Sequence, residues 1–133
     1  MLVICLTVLL LCDFHLDGTV LFAYSFDSRK VSRFRVVDGV YEGDMYVNAT
    51  AGGAWFTGWC DVEVLPDGRI AVADAEKDRI LFYSGDGVTL LKSFGSEGAG
   101  ASEFDYPTAV AFSRGSGKLY ILDRSNKRVQ VFE

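Results

Sequence analysis

Apolar and polar positions along this chain alternate in short bursts, and the bursts recur. Gly68-Arg69-Ile70-Ala71-Val72-Ala73-Asp74-Ala75-Glu76-Lys77-Asp78-Arg79-Ile80 and Gly117-Lys118-Leu119-Tyr120-Ile121-Leu122-Asp123-Arg124-Ser125-Asn126-Lys127-Arg128-Val129 are one pattern written twice. Each copy opens on a turn glycine, runs through apolar and small residues to an aspartate, crosses a short polar turn and restarts at an arginine followed by a β-branched residue. From Gly68 to Gly117 is 49 residues, and from Ile80 to Val129 is the same 49. A fixed period of this size marks a repeat architecture, in which a unit cannot bury its own faces and stacks on its neighbours.

The complete unit predicts strands over 59–65, 69–74, 79–84 and 89–94, with turns at Pro66-Asp67-Gly68, at 75–78 and at Gly85-Asp86-Gly87. Upstream, the same plan is degraded. Strands are predicted over 19–24, 31–36 and 40–47, with a polar turn at 25–29, a hairpin turn at Asp38-Gly39 and a glycine-rich crossing loop over 48–58. Gly18 to Val31 is 13 residues where Gly68 to Ile80 is 12, so the first turn carries one extra residue. Downstream, a loop over 95–104 leads to a first strand over 106–112, and the third unit reaches Phe132-Glu133 with three of its four strands. Four short antiparallel strands per roughly 40 to 50 residues are the blade of a β-propeller. The expected fold is therefore all-β, a partial, open propeller of four-stranded antiparallel blades. Its segments are an apolar stretch at 1–11, a degenerate blade at 12–58, a complete blade with its crossing loop at 59–106 and an incomplete blade at 107–133.

Composition agrees. Half of the 133 residues are apolar, enough for a core, but the length holds fewer than three full periods. Fourteen glycines against two prolines, set between Val/Ile/Phe/Tyr-rich runs, fit an all-β chain. The formal net charge of −5 argues against non-specific binding to nucleic acid, which needs clustered Lys and Arg. Cys5, Cys12 and Cys60 have no metal-ligand spacing and form no disulfide framework, which favours a reduced, cytoplasmic setting. Residues 2–12 leave two readings open. They are apolar except at Thr7, which suits a signal-peptide core and secretion, yet no Lys or Arg precedes them and no small-residue cleavage site follows. In the repeat register, Leu11-Cys12-Asp13 matches Trp59-Cys60-Asp61, which suits a buried strand. Eleven residues are too few for a membrane span. Asn48-Ala49-Thr50 is a glycosylation sequon that matters only in a secreted chain.

The chemistry that stands out is paired charge. Asp74 and Arg79, like Asp123 and Arg128, are five residues apart across a hairpin turn, so carboxylate and guanidinium can meet there and bond turn amides. Repetition in two units favours a structural role over anion binding. In the first unit the aspartate position falls on Tyr24 or Ser25, and the pair is lost. The turn at 124–128 reads as a solvated tip. His15, flanked by Asp13 and Asp17, is the single histidine. A metal-dependent propeller enzyme needs several His, Asp or Glu side chains converging on the axis. There is no Gly-x-Ser-x-Gly elbow and no phosphate-binding loop. The chain is thus expected to carry no catalytic residues, metal or cofactor. Phe22, Phe34, Phe82, Phe94, Phe112 and Phe132 fall at strand positions expected to be core.

Ala73-Asp74, Asp78-Arg79-Ile80-Leu81-Phe82-Tyr83, Ser93-Phe94-Gly95, Phe104-Asp105-Tyr106-Pro107 and Leu122-Asp123-Arg124-Ser125-Asn126-Lys127-Arg128-Val129-Gln130-Val131-Phe132 together resemble the NHL repeat. The resemblance is good over 59–133 and loose over 12–58. It implies a propeller that is usually six-bladed and acts as a platform for protein or RNA, sometimes joined to RING and B-box zinc modules in ubiquitin ligases. None of those modules occurs in this sequence. Peptidyl-amidoglycolate lyases and gluconolactonase-like hydrolases are enzymatic relatives of such propellers. The expectation is a non-enzymatic interaction module with a protein partner, RNA being disfavoured by charge, and with self-association through exposed blade faces and edge. The alternatives are a fragment of a propeller enzyme whose catalytic groups lie on other blades, or an incomplete gene product.

Overall fold

A computed structural model describes residues 14–16, 20–25, 30–35, 40–45, 60–85, 87 and 89–133. The apolar stretch 2–12, Asp13, Asp17, the sequon and the crossing loop over 48–58 lie outside the described residues. Among the described residues eleven strands form three antiparallel sheets. The first holds β1 (Phe14–Leu16), β2 (Val20–Ser25), β3 (Lys30–Arg35) and β4 (Tyr41–Met45). The second holds β5 (Cys60–Val64), β6 (Ile70–Asp74), β7 (Arg79–Tyr83) and β8 (Leu90–Phe94). The third holds β9 (Pro107–Ser113), β10 (Lys118–Asp123) and β11 (Arg128–Phe132). Within every sheet the spatial order follows the chain, so each is an up-and-down blade. β9 packs against β5 and β6, and β1 and β2 pack against β5. Among the described residues the only helical element is one 3-10 turn, Ala75–Lys77. No helix there is long and apolar enough to cross a membrane.

The register turns the sequence period into spatial equivalence. Asp74 opposes Arg79 at the end of β6–β7, and Asp123 opposes Arg128 at the end of β10–β11. Ser25 opposes Lys30 at the same place in the first blade. This assigns the aspartate position of the degraded unit to Ser25 rather than Tyr24. The first and second blades also share a bulge, between Arg33 and Phe34 and between Phe82 and Tyr83, 49 residues apart. In the first strands the spacing is 48. Asp61 pairs with Ala73, as Ala109 pairs with Leu122, because the turn after β9 is one residue longer than the turn after β5.

One core cluster lies between the second and third blades, and Val62, Val64, Ile70, Val72, Leu81 and Tyr83 are buried on the opposite face of the second blade. Leu65, Ala71, Ala73, Ile80 and Phe82 on one side meet Val110, Leu119 and Ile121 on the other, all buried. Alternation in β10 explains the third blade's share, since Leu119 and Ile121 point inward while Leu122 points out. Ala71 and Ala73, fully buried, let the second sheet approach closely. Phe82 is buried, whereas Phe94, Phe112 and Phe132 are half-buried against the same cluster. Phe34 is also half-buried, against Tyr41 at 5.7 Å between ring centroids. Phe104 completes the core from the loop between blades. It is fully buried and sits edge-on to Phe94 at 5.9 Å. Gly95 makes room for it, because a Cβ there would stand 2.6 Å from the Phe104 ring, and its φ of +104° suits only glycine.

Candidate functional site

Asp123 is the most enclosed charged group in the third blade. Its side chain is wholly buried, and Arg128 Nε donates to its Oδ2 at 2.8 Å. The Asp105 N–H donates to Oδ1 at 2.8 Å, and Asn126 Nδ2 and Gln130 Nε2 reach Oδ2 at 3.0 and 3.3 Å. Burial pushes the carboxyl pKa up. The four donors outweigh that and hold it below the usual carboxylate range. The guanidinium is engaged as well. Arg128 Nη1 donates to Ala99 O at 2.6 Å, and Nη2 donates to Gly100 O and Glu103 O at 2.7 and 2.8 Å. Gln130 Nε2 also donates to Glu103 O, and Asn126 Nδ2 to Gly98 O. The further partners of Arg128 are therefore carbonyls of the preceding loop, while Asp123 takes one amide of the hairpin turn, the Asn126 side chain. The turn at 124–128 is correspondingly only half a solvated tip. Arg124 is exposed over the Tyr106 ring at 5.9 Å, while Asn126 and Arg128 point into the loop.

The second blade repeats the pair with a different surrounding. Arg79 Nε donates to Asp74 Oδ2 at 2.8 Å, with the Asp74 side chain 5% exposed. Here burial dominates over the arginine's hydrogen bond and charge, and the Asp74 pKa is raised. Asp78, in left-handed conformation at φ 51°, accepts the Tyr106 N–H at 2.8 Å and ties the second turn to the loop leading into the third blade.

Two carboxylates that pattern reasoning passed over join the blades. Asp61 Oδ2 accepts the Val110 N–H at 2.7 Å and Glu63 Oε1 accepts the Phe112 N–H at 3.2 Å, from β5 to β9. Asp61 Oδ1 also accepts its neighbour's N–H at 2.8 Å. The signal was present: Asp61-Val62-Glu63-Val64 puts both acids on the face that carries Ala71 and Ala73, an apolar face. His15 opposes Phe22 as Glu63 opposes Ala71, so His15 occupies the Glu63 position in the first blade. Among the described residues no three His, Cys, Asp or Glu side chains are placed to hold a metal.

The third blade presents a different face away from the second. Leu122, Val129 and Val131 are 42%, 54% and 50% exposed. Their register equivalents Ala73, Ile80 and Phe82 are covered by the third blade. Ala109 and Ala111 stand where the second blade has Asp61 and Glu63. Among the described residues no strand pairs with the outer edge of β11, whereas the equivalent strand β7 pairs with β8.

Comparison with known proteins places this architecture. The chain is similar in fold to a catalytically inactive virginiamycin B lyase from Staphylococcus aureus, crystallised with quinupristin, at 12% identity and TM-score 0.58 over 90% of this chain. It is equally similar to an auxiliary nutrient binding protein from Bacteroides thetaiotaomicron VPI-5482, at 15% identity and TM-score 0.58 over 92% of this chain. It spans 40% and 37% of the lengths of those two propeller proteins. No curated protein matches the sequence. The NHL repeat model matches residues 104–132, the segment that contains the Asp123 network. The chain is thus an arc of β-propeller blades, the third of which matches the NHL repeat.

Proposed function

We propose that this chain is a non-enzymatic interaction module whose protein partner lays a β-sheet against the outward face of the third blade. One observation carries the reading: Tyr120, Leu122, Val129 and Val131 form an apolar face whose equivalents in the preceding blade, Ala71, Ala73, Ile80 and Phe82, are buried under another sheet. The repeat itself supplies the geometry of the covering. A partner sheet stacks as the third blade stacks on the second, and the free edge of β11 accepts an added strand. The partner differs in detail from the third blade. It must leave room for Tyr120 and Leu122 where the second blade has two alanines, and no carboxylate from this chain reaches its first strand. NHL repeats commonly act as protein-interaction modules, which agrees with the reading. A second copy of the chain is the simplest partner to test. Light scattering of the parent should show concentration-dependent association, and Leu122→Asp with Val129→Lys should abolish it. Association that survives the double substitution would rule out this face.

A further inference from the structure

Between the second and third blades, beyond the buried core, lies a half-open groove of about 440 Å³. This falls within the size range of sites for small molecules, about 300 to 1,000 Å³. Its walls are aromatic: Phe82 and Phe94 from one blade, Phe112 and Phe132 from the next. Phe94 and Phe132 meet edge-on at 5.1 Å and Phe82 and Phe94 stack at 6.0 Å. Two cations line the same space. The Arg69 guanidinium carbon stands 5.8 Å from the Phe82 centroid and Lys92 Nζ stands 5.7 Å from the Phe94 centroid. Arg69 Nε is committed to Asp67 at 2.7 Å, but among the described residues Lys92 has no carboxylate partner. Glu133, also at the groove, is paired with Lys118 at 3.0 Å.

From these features we infer that the groove binds a small aromatic carboxylate, with its ring among the four phenylalanines and its charge on Lys92, supported by Arg69. The chemistry follows from the lining. An aromatic ring gains burial and edge-to-face contact on such walls, and a cation held over an aromatic face favours an anionic ligand beside it. A neutral aromatic would use the walls and leave the ammonium unanswered. A cationic ligand would be repelled. The site is separate from the outward face of the third blade and stands whether or not that face binds a partner.

The test uses 2-naphthoate and its neutral counterpart 2-naphthamide on the full chain, read by amide chemical shifts and titration calorimetry. Naphthoate should perturb residues 92–94 and 131–133 and bind at least about tenfold more tightly than the amide. Lys92→Glu, a change at an exposed position, should retain the parent melting curve, weaken naphthoate by about tenfold or more and leave the amide unaffected. Equal affinity for acid and amide, insensitivity to Lys92→Glu, shifts centred instead on Tyr120 and Leu122, or no binding at all would each overturn the inference.

Discussion

The second and third blades share a backbone and differ in what their outward faces meet. In the second blade that face carries Asp61, Glu63, Ala71, Ala73, Ile80 and Phe82, and it is closed by the sheet that follows. In the third, Ala109, Ala111, Tyr120, Leu122, Val129 and Val131 occupy the same register positions, with the valines and Leu122 about half exposed. The period therefore preserves the scaffold, namely strand order, turn glycine and the Asp–Arg pair, while the face is free to vary. What varies is the chemistry of stacking: Ala71 and Ala73 beside two carboxylate acceptors where a blade sits, Tyr120 and Leu122 beside two alanines where none is seen.

The comparison breaks most severely at Ala73. Ala73→Asp puts a charge at a fully buried position against Ile121 and Val110, with no partner, and should unfold the chain or cost more than about 4 kcal/mol by urea titration. The next largest effect separates the two Asp–Arg pairs. Asp123→Ala takes the acceptor from the Asp105 N–H and the counter-charge from Arg128, which keeps only carbonyl partners, and should cost about 3 to 5 kcal/mol. Asp74→Ala leaves chiefly Arg79, which can turn toward solvent, and should cost about 1 to 3 kcal/mol. Equal shifts in denaturation midpoint for the two variants would show that the loop contacts of Asp123 add nothing.

The pair also differs in the sign of its pH dependence. Asp123, with a depressed folded pKa, contributes stability that is present above the unfolded value of about 3.9 and lost as pH falls through the folded pKa. Asp74, with a raised folded pKa, contributes stability that is present below that value and lost as pH rises through the folded pKa. Going from acid to neutral pH, Asp123→Asn should therefore fall further behind the parent and Asp74→Asn should gain on it. Urea midpoints across that range check both signs, and parallel curves would contradict them. A smaller effect belongs to the acids between blades. Asp61→Ala leaves the buried Val110 N–H without this acceptor and should cost about 1 to 3 kcal/mol.

Much of this scaffold was legible in the chain. The 49-residue spacing and the glycine, aspartate and arginine positions give the strands, the turns and the blade order, because a turn's φ/ψ demands and strand alternation are local. The contacts between blades were less so. Asp61 and Glu63 alternate with valines, the pattern of a solvent-facing edge, and only the register with Ala73 and Ala71 places them on an apolar face. Phe104 lies in a glycine-rich loop, where no strand period marks it as core, yet it is fully buried. The targets of Arg128, three loop carbonyls 25 to 29 residues away, depend on the path of a loop that local pattern does not fix. The groove between blades has the same origin, since Phe82 and Phe94 on one wall face Phe112 and Phe132 on the other, 18 to 50 residues apart in the chain.

Equivalent positions in successive blades have opposite environments, one closed by the next sheet and one exposed. Leu122→Asp tests it most directly, beside Ala73→Asp at the equivalent site. At a concentration where the parent is dispersed, the urea midpoint of Leu122→Asp should correspond to a loss of less than about 1 kcal/mol, the range of strand propensity on an exposed face, while association at higher concentration disappears. A midpoint that collapses as for Ala73→Asp would show that the face of the third blade is already buried within this chain and would contradict the account.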